Sequence, residues 1–240
     1  MSNNYIIFDY DDTLLATNFI YTNKISFDEL ISKEILDLFN ELSIQVLKVL
    51  NKAILHGDVA IITNAQDGWI EESSKKLMPS VYEFLINKKI KLISARNEME
   101  KTIPDPTRWK AIIFQKYFEL SYQNKKNINV ISFGDNYYDR YALFNLTSSS
   151  LNLKKNIKLL DKPTMNQLIN QLVLINKLFD KIITLNKELD VRIELNTILD
   201  DNIENIDNKE LDRIIFDSLY ELPDLYDFES LFIDDLYMNL

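Results

Sequence analysis

The chain contains no cysteine and only three glycines among its 240 residues. The absence of cysteine excludes a disulfide framework, a thiolate zinc site and a cysteine nucleophile. Glycine tolerates backbone conformations and close approaches that other residues do not. We therefore expect each of the three glycines to occupy a position that the backbone requires.

Long apolar runs are also absent. No run reaches the length that spans a bilayer, and the N-terminus lacks the positive flank and apolar core of a signal peptide. We therefore expect a soluble, cytoplasmic protein that does not associate with membranes. With 46% apolar and 11% aromatic residues, the composition is typical of a globular protein and not of a disordered one.

The net charge of −10 comes from one end of the chain. Residues 186–240 contain 16 acidic and 4 basic residues, whereas the residues before them are close to neutral. Because the acidic segment need not face a binding site, the net charge argues only weakly against anionic substrates. No basic patch with interleaved aromatic residues indicates a nucleic-acid partner.

Short apolar runs alternate with helix-like segments in the first 150 residues. Four runs are apolar on both faces, as strands of a buried parallel sheet are, and they lie at 5–8, 58–62, 89–93 and 127–133. The first helix-like segment ends at His56-Gly57, a good stop signal. The alternation predicts an α/β fold with a doubly wound, mostly parallel, Rossmann-like sheet. Its ligands are expected at the carboxyl ends of the strands.

The pattern weakens after about residue 148. We expect a fifth strand at 151–160 and a long helix after Pro163. The chain then divides into a core at 1–162 and a helical C-terminal extension at 163–240, acidic from about residue 186. Near its end, apolar residues recur at helical spacing; they are Leu211, Ile214, Ile215, Leu219, Phe228, Phe232 and Leu236. Packing against the core and docking of a protein partner both fit these helices.

The most informative segment is the end of the first apolar run. Three carboxylates, Asp9, Asp11 and Asp12, follow within four residues, and Thr13 comes next. Burying an unpaired carboxylate is costly, and crowding several together costs more unless a cation neutralises them. An apolar strand that ends in Asp-x-Asp is therefore the arrangement that a magnesium-dependent phosphoryl-transfer site requires.

Polar residues also follow the second and fourth strands. In a parallel sheet they converge on one edge with the first carboxylates; they are Thr63, Asn64, Gly134, Asp135, Asn136 and Asp139. A further helix start is predicted before residue 110, with Thr107 as its N-cap. Lys110 then lies in the first helical turn, where its charge opposes the helix dipole. A residue placed against its local preference is a pointer to function.

In the order of these residues, the chain resembles the haloacid dehalogenase (HAD) superfamily, most of whose members are phosphohydrolases. The resemblance covers roughly residues 4–160 and is most specific in its first and fourth motifs. Asp12 departs from it, because many members have glycine there. Ser94, at the end of the third strand, is an alternative to Thr63 as the second motif. The matching residues are Asp9-Tyr10-Asp11-Asp12-Thr13, Thr63, Lys110 and Gly134-Asp135-Asn136-Tyr137-Tyr138-Asp139.

The resemblance implies a Mg²⁺-dependent phosphatase that works through an aspartyl-phosphate. Asp9 is then the nucleophile, and Asp11 the general acid and base. The implied metal ligands are Asp9, the backbone carbonyl of Asp11, and Asp135, while Asp139 binds the metal or orients its ligands. Asp12 is expected to be a solvated turn residue. The residues implied to stabilise the phosphoryl oxygens are Thr63, Asn64 through its backbone N–H, and Lys110.

The intervals between the motifs are too short for an inserted cap domain. We expect a minimal cover at about 15–33 and an open site, which by analogy suits a phosphorylated macromolecule as well as a small molecule. The alternative function is a non-catalytic binding or scaffold protein of the same fold, whose acidic C-terminal helices dock a protein partner.

Overall fold

A single six-stranded sheet organises the chain. The computed structural model describes residues 3–193, together with Lys209 and Arg213. All strand pairings are parallel, and the strand order is β3-β2-β1-β4-β5-β6. The strands are β1 (Asn4–Phe8), β2 (Asp58–Thr63), β3 (Lys91–Ser94), β4 (Ile128–Gly134), β5 (Leu151–Lys158) and β6 (Leu189–Arg192).

Helices connect the strands. They are α1 (Thr17–Thr22), α2 (Lys33–His56), α3 (Trp69–Leu77), α4 (Pro79–Asn87), α5 (Ala95–Met99), α6 (Trp109–Tyr122), α7 (Tyr137–Asn145) and α8 (Met165–Thr184), with a 3-10 turn at Pro106–Arg108. Among residues 3–193, none of these helices has the length and apolar character needed to cross a membrane.

The two faces of the sheet carry separate apolar cores. Along β1, Ile6 and Phe8 enter one core, while Tyr5 and Ile7 enter the other, as alternation along a strand requires. Helices α2, α3, α4 and α8 supply side chains to the first core, and α5, α6 and α7 to the second. Burial on both faces confirms the predicted α/β, doubly wound, Rossmann-like architecture.

The strand order determines where a ligand site forms. From β1 the chain proceeds to β2 and β3 on one side, and later crosses back to β4 on the other side, continuing to β5 and β6. The reversal between β1 and β4 opens a crevice at the carboxyl ends of these strands. In the register, Phe8 lies opposite Phe133 and Ile61, so the residues after β1 adjoin the ends of β2 and β4.

Helix α2 ends at His56, as predicted, but Gly57 serves a different purpose from the expected helix stop. Its φ is −176°, which is extended backbone and not the left-handed conformation that favours glycine. A Cβ atom here would lie 2.4 Å from the carbonyl oxygen of Asn4. Gly57 is therefore required because β1 passes too close for a side chain.

The chain after residue 162 contributes to the main sheet. A strand was not expected there, but β6 pairs with β5, and α8 buries Leu172, Ile175 and Phe179 in the same core as α2. The predicted boundary at 162 thus falls inside a shared core within residues 3–193. The apolar residues that predict helices between Leu211 and Leu236 lie outside the described residues.

Phe179 offers a test of this shared core. Its ring is buried and stacks on Phe133 at 5.6 Å, and Phe133 stacks on Phe8 at 4.9 Å. We expect Phe179→Ala to lower the free energy of unfolding by about 3–5 kcal/mol, because it leaves a cavity in the centre of the core.

Chemical denaturation measures this loss, with Asn166→Ala on the exposed side of α8 as the control. The control should change stability by no more than about 0.5 kcal/mol. Equal, small effects of both substitutions would show that α8 is a dispensable attachment.

Candidate active site

Five predicted site residues converge at the carboxyl ends of the central strands. Asp9 follows β1, Thr63 ends β2, and Asp135 follows β4. Asp139 lies in the first turn of α7, and Lys110 in the first turn of α6. The parallel order of β2, β1 and β4 therefore brings together residues that are separated by up to 130 positions in the chain.

Lys110 is a buried cation between two carboxylates. Its Nζ lies 2.8 Å from Asp9 Oδ1 and 2.7 Å from Asp139 Oδ1. Burial by itself lowers the pKa of Lys110, but the carboxylates of Asp139 and Asp9 outweigh this effect and raise the pKa above its ordinary value. Lys110 is therefore charged throughout the physiological pH range.

The segment before α6 positions Lys110, although not through the predicted cap. The side chain of Asp105 accepts hydrogen bonds from the N–H and the hydroxyl of Thr107 at 3.0 and 2.6 Å. Asp105 thus caps the 3-10 turn, and Thr107 lies within it. The Thr107 N-cap prediction is wrong because Asp105, two residues earlier, satisfies the free N–H of Thr107.

Asp9, Asp135 and Asp139 form a cluster of buried carboxylates. Each offers an oxygen, and these oxygens all lie within 4.8 Å of one another. Burial, followed by the nearby charge of Asp9, raises the pKa of Asp139 to about 7 and that of Asp135 well above its ordinary value. With Lys110 the four ionised side chains carry a net charge of −2, which a divalent cation would neutralise.

The donor set fits Mg²⁺. Carboxylate oxygens are the ligands that this ion prefers. Oδ2 of Asp139 is buried and lacks a hydrogen-bond donor among the described residues, so the negative charge there is incompletely compensated. The side chain of Asp11 is not part of the cluster, in agreement with an expected contribution through its backbone carbonyl only.

Gly134 makes room for this cluster. A Cβ atom on Gly134 would lie 2.4 Å from Cγ and Oδ2 of Asp139. Any larger residue would therefore displace that carboxylate. Two further contacts hold the neighbouring loop: the N–H of Asp135 donates to Thr13 Oγ1 at 3.1 Å, and Lys158 Nζ donates to the carbonyl oxygen of Asp135.

Asp11 occupies a separate environment beside this cluster. Its Oδ1 accepts hydrogen bonds from Thr17 Oγ1 at 2.7 Å and from Trp69 Nε1 at 2.8 Å, and its Oδ2 accepts one from Thr63 Oγ1 at 2.9 Å. Burial raises the pKa of Asp11, with a smaller contribution from Asp9, while the three donors oppose the rise. The net effect favours the protonated acid relative to an ordinary aspartate.

Asp12 is not the solvated turn residue that was expected. It is buried, adopts a left-handed φ of 52°, and accepts a hydrogen bond from the N–H of Asn18 at 2.7 Å. Burial raises its pKa to about 6. Asp12 therefore shapes the turn into α1, because its side chain satisfies a free N–H group of that helix.

The remaining predicted residues lie at the ends of β2 and β3. Thr63 contacts Asp11, whereas the hydroxyl of Ser94 donates to the carbonyl oxygen of Ala65 at 2.6 Å and accepts from the N–H of Asn97. Ser94 is thus engaged in capping α5. The side chain of Asn64 points to the carbonyl oxygen of Pro106 at 3.4 Å, away from the carboxylates.

The segment at 15–33 contains one short helix, α1, and then enters α2. Its apolar residues Phe19, Ile25 and Ile31 pack against the core beneath the sheet edge. Phe27 stacks on Trp69, with ring centroids 5.6 Å apart and planes 7° apart. We call residues 15–33 the cover segment.

No family model, curated protein or solved structure matches the chain. Function is therefore inferred from the geometry of its own residues. The sequence analysis did not identify Trp69, Thr17 or Lys158 as site residues. A signal for Trp69 existed in Gly68, whose φ of 82° starts α3 and thereby positions the indole.

The raised carboxyl pKa values predict an unusual pH dependence for the metal-free protein. Between pH 5.5 and 7.5 ordinary aspartates are already ionised, whereas Asp12 and Asp139 lose their protons with pKa values of about 6 and 7. Ionisation costs more in the folded than in the unfolded state, so stability falls as the pH rises through this window. We expect a melting temperature a few degrees lower at pH 7.5 than at pH 5.5 when the metal is chelated.

Addition of Mg²⁺ should reverse this order, because the ion binds the ionised carboxylates. Thermal melts at both pH values with chelator or with Mg²⁺ measure the effect. Asp139→Asn serves as the control, since it should weaken both the pH dependence and the stabilisation by Mg²⁺. A Mg²⁺ effect of equal size at the two pH values would contradict the proposed metal site.

Proposed function

We propose that this protein is a Mg²⁺-dependent phosphatase of the HAD type, which hydrolyses a phosphate monoester through an aspartyl-phosphate on Asp9. The observation that carries the proposal is the division of labour at the sheet edge. Asp9 lies against the buried cation Lys110, while Asp11 lies outside that ion pair in an environment that favours its protonated form. A nucleophile and an acid with different environments are what such a reaction needs.

Asp9 is suited to attack phosphorus. Its Oδ1 is occupied by Lys110 at 2.8 Å and by the N–H of Tyr10 at 2.7 Å, which orients the carboxylate and leaves Oδ2 for attack. In the first step Oδ2 forms a bond to phosphorus as the bond from phosphorus to the leaving oxygen breaks. Asp11 donates its proton to that oxygen, so the product leaves as an alcohol.

Hydrolysis of the phosphorylated Asp9 completes the cycle. Asp11, now ionised, takes a proton from a water molecule as the water oxygen attacks phosphorus. The bond between phosphorus and Asp9 breaks, inorganic phosphate is released, and Asp11 is again protonated. The pKa of Asp11 suits both halves of this exchange because burial places it above that of an ordinary aspartate.

The charges around the phosphoryl group are assigned to the remaining residues. When bound by Asp9, Asp135, Asp139 and the carbonyl of Asp11, Mg²⁺ supplies positive charge for the phosphoryl oxygens. Lys110 holds Asp9 and Asp139 in place and contributes a permanent positive charge beside the reacting centre. Thr63 and the backbone N–H of Asn64 adjoin the same edge and supply donors there.

The substrate class follows from the slender cover. Residues 15–33 provide one six-residue helix over the site, so a phosphate carried by a macromolecule is admitted as readily as one on a small molecule. A cytoplasmic location, and a protein partner for the acidic segment 186–240, stay predictions.

Substitution of the nucleophile tests the proposal. We expect Mg²⁺-dependent phosphate release from p-nitrophenyl phosphate by the wild type, and a loss of several orders of magnitude in Asp9→Asn, because an amide cannot form the acyl-phosphate. Asp37→Asn, the same chemical change on the exposed side of α2, is the control and should retain full activity. Unchanged activity in Asp9→Asn would remove the nucleophile assignment.

A wider panel tests the alternative function. The panel comprises sugar phosphates, nucleotides, phosphopeptides and oligonucleotides with a 5′- or 3′-phosphate. If Mg²⁺ stabilises the protein but no member of the panel is hydrolysed, the result favours a non-catalytic binding or scaffold protein.

A further inference from the structure

Proton transfer by Asp11 depends on which of its two oxygens carries the proton. Oδ1 accepts two hydrogen bonds, from Thr17 Oγ1 and Trp69 Nε1, at 2.7 and 2.8 Å. Oδ2 accepts one, from Thr63 Oγ1 at 2.9 Å. The two oxygens are therefore inequivalent, and the difference comes from residues outside the four HAD-like motifs.

We propose that Trp69 is a positioning residue that directs the exchangeable proton of Asp11 to Oδ2. The inference rests on the proposed phosphatase function, since it concerns the acid and base of that reaction. It adds a residue that neither the sequence pattern nor the resemblance identifies, and it gives the cover segment a role in catalysis.

The chemistry of the indole group supports this role. An indole N–H donates a hydrogen bond but cannot accept one, so a proton on Oδ1 would face the N–H proton of Trp69 directly. A hydroxyl, by contrast, can turn and either donate or accept. Thr63 can therefore keep its hydrogen bond to Oδ2 whether Asp11 is protonated or ionised. Only the Oδ2 side accommodates both protonation states.

The position of Trp69 is itself held from two sides. Gly68, with a φ of 82°, starts α3 immediately before Trp69, and buried Ile70 anchors the first helical turn in the core. On the other side Phe27 of the cover segment stacks on the indole at 5.6 Å. Thr17, which also holds Oδ1, belongs to the cover segment as well. The orientation of Asp11 therefore depends on how this segment is seated.

The test compares substrates that need the acid to different degrees. Phenyl phosphate has a basic leaving oxygen that must be protonated, whereas 2,4-dinitrophenyl phosphate has a weakly basic one that departs without a proton. Trp69→Phe keeps the aromatic stack on Phe27 but removes the N–H. We expect it to lower kcat/KM for phenyl phosphate about 10- to 100-fold, and for the dinitrophenyl ester less than about threefold.

Trp109→Phe is a matched control. Trp109 is the other tryptophan of the chain, and its Nε1 donates to the carbonyl oxygen of Ile103 at 2.8 Å, so the same N–H is removed outside the carboxylate cluster. Any loss in this variant should be equal for the two esters. Thr17→Val removes the second donor to Oδ1 and should reproduce the leaving-group dependence of Trp69→Phe, even where that variant folds poorly.

A spectroscopic measurement tests the contact without relying on activity. The two tryptophans give two indole N–H signals in a proton–nitrogen NMR spectrum, and Trp69→Phe identifies which one belongs to Trp69. We expect Asp11→Asn to shift that signal and leave the signal of Trp109 in place, because a carboxylate is a stronger acceptor than an amide. An unshifted Trp69 signal would overturn the proposed contact.

The outcomes separate the two proposals. A wild-type protein that hydrolyses neither ester defeats the phosphatase function and with it the role of Trp69 in proton transfer. A wild-type protein that hydrolyses both, combined with Trp69→Phe and Thr17→Val variants that slow the two esters equally or not at all, defeats only the positioning role.

Discussion

The ion pairs of buried Lys110 with Asp9 and Asp139 are the interaction on which the site depends. A buried lysine without partners would lose its charge, and buried carboxylates without a cation would take up protons. Each group therefore stabilises the charged form of the other. The surrounding structure serves this arrangement: the turn capped by Asp105 places Lys110, and Gly134 leaves space for Asp139.

A second consequence is the contrast between Asp9 and Asp11. They are two residues apart and follow the same strand, but one side chain faces Lys110 and the other faces neutral donors. Neutral donors compensate a negative charge less than an ammonium group does. The local sequence is nearly symmetrical between these two carboxylates, so their chemical difference originates entirely in what the rest of the chain brings to them.

Most of the fold could be predicted from local patterns, because strands buried on both faces are apolar throughout and α2 carries an apolar stripe. Strand β6 was missed for a physical reason. Its sequence includes Asp190, and a buried aspartate is unfavourable unless distant residues compensate it. Here the guanidinium of Arg140 binds it with two nitrogens, and Asn156 donates at 2.8 Å. Those partners lie 50 and 34 residues earlier in the chain.

The sequence alone determined that carboxylates stand at the end of the first strand and that Thr63, Asp135 and Asp139 follow its neighbours, since parallel strands share a carboxyl edge. Only the tertiary structure decided that Asp12 is buried in a turn and that Trp69 reaches Asp11. Periodicity reports on neighbours within a few residues. Contacts across 58 residues depend on side-chain directions that are set by packing, and no local pattern encodes them.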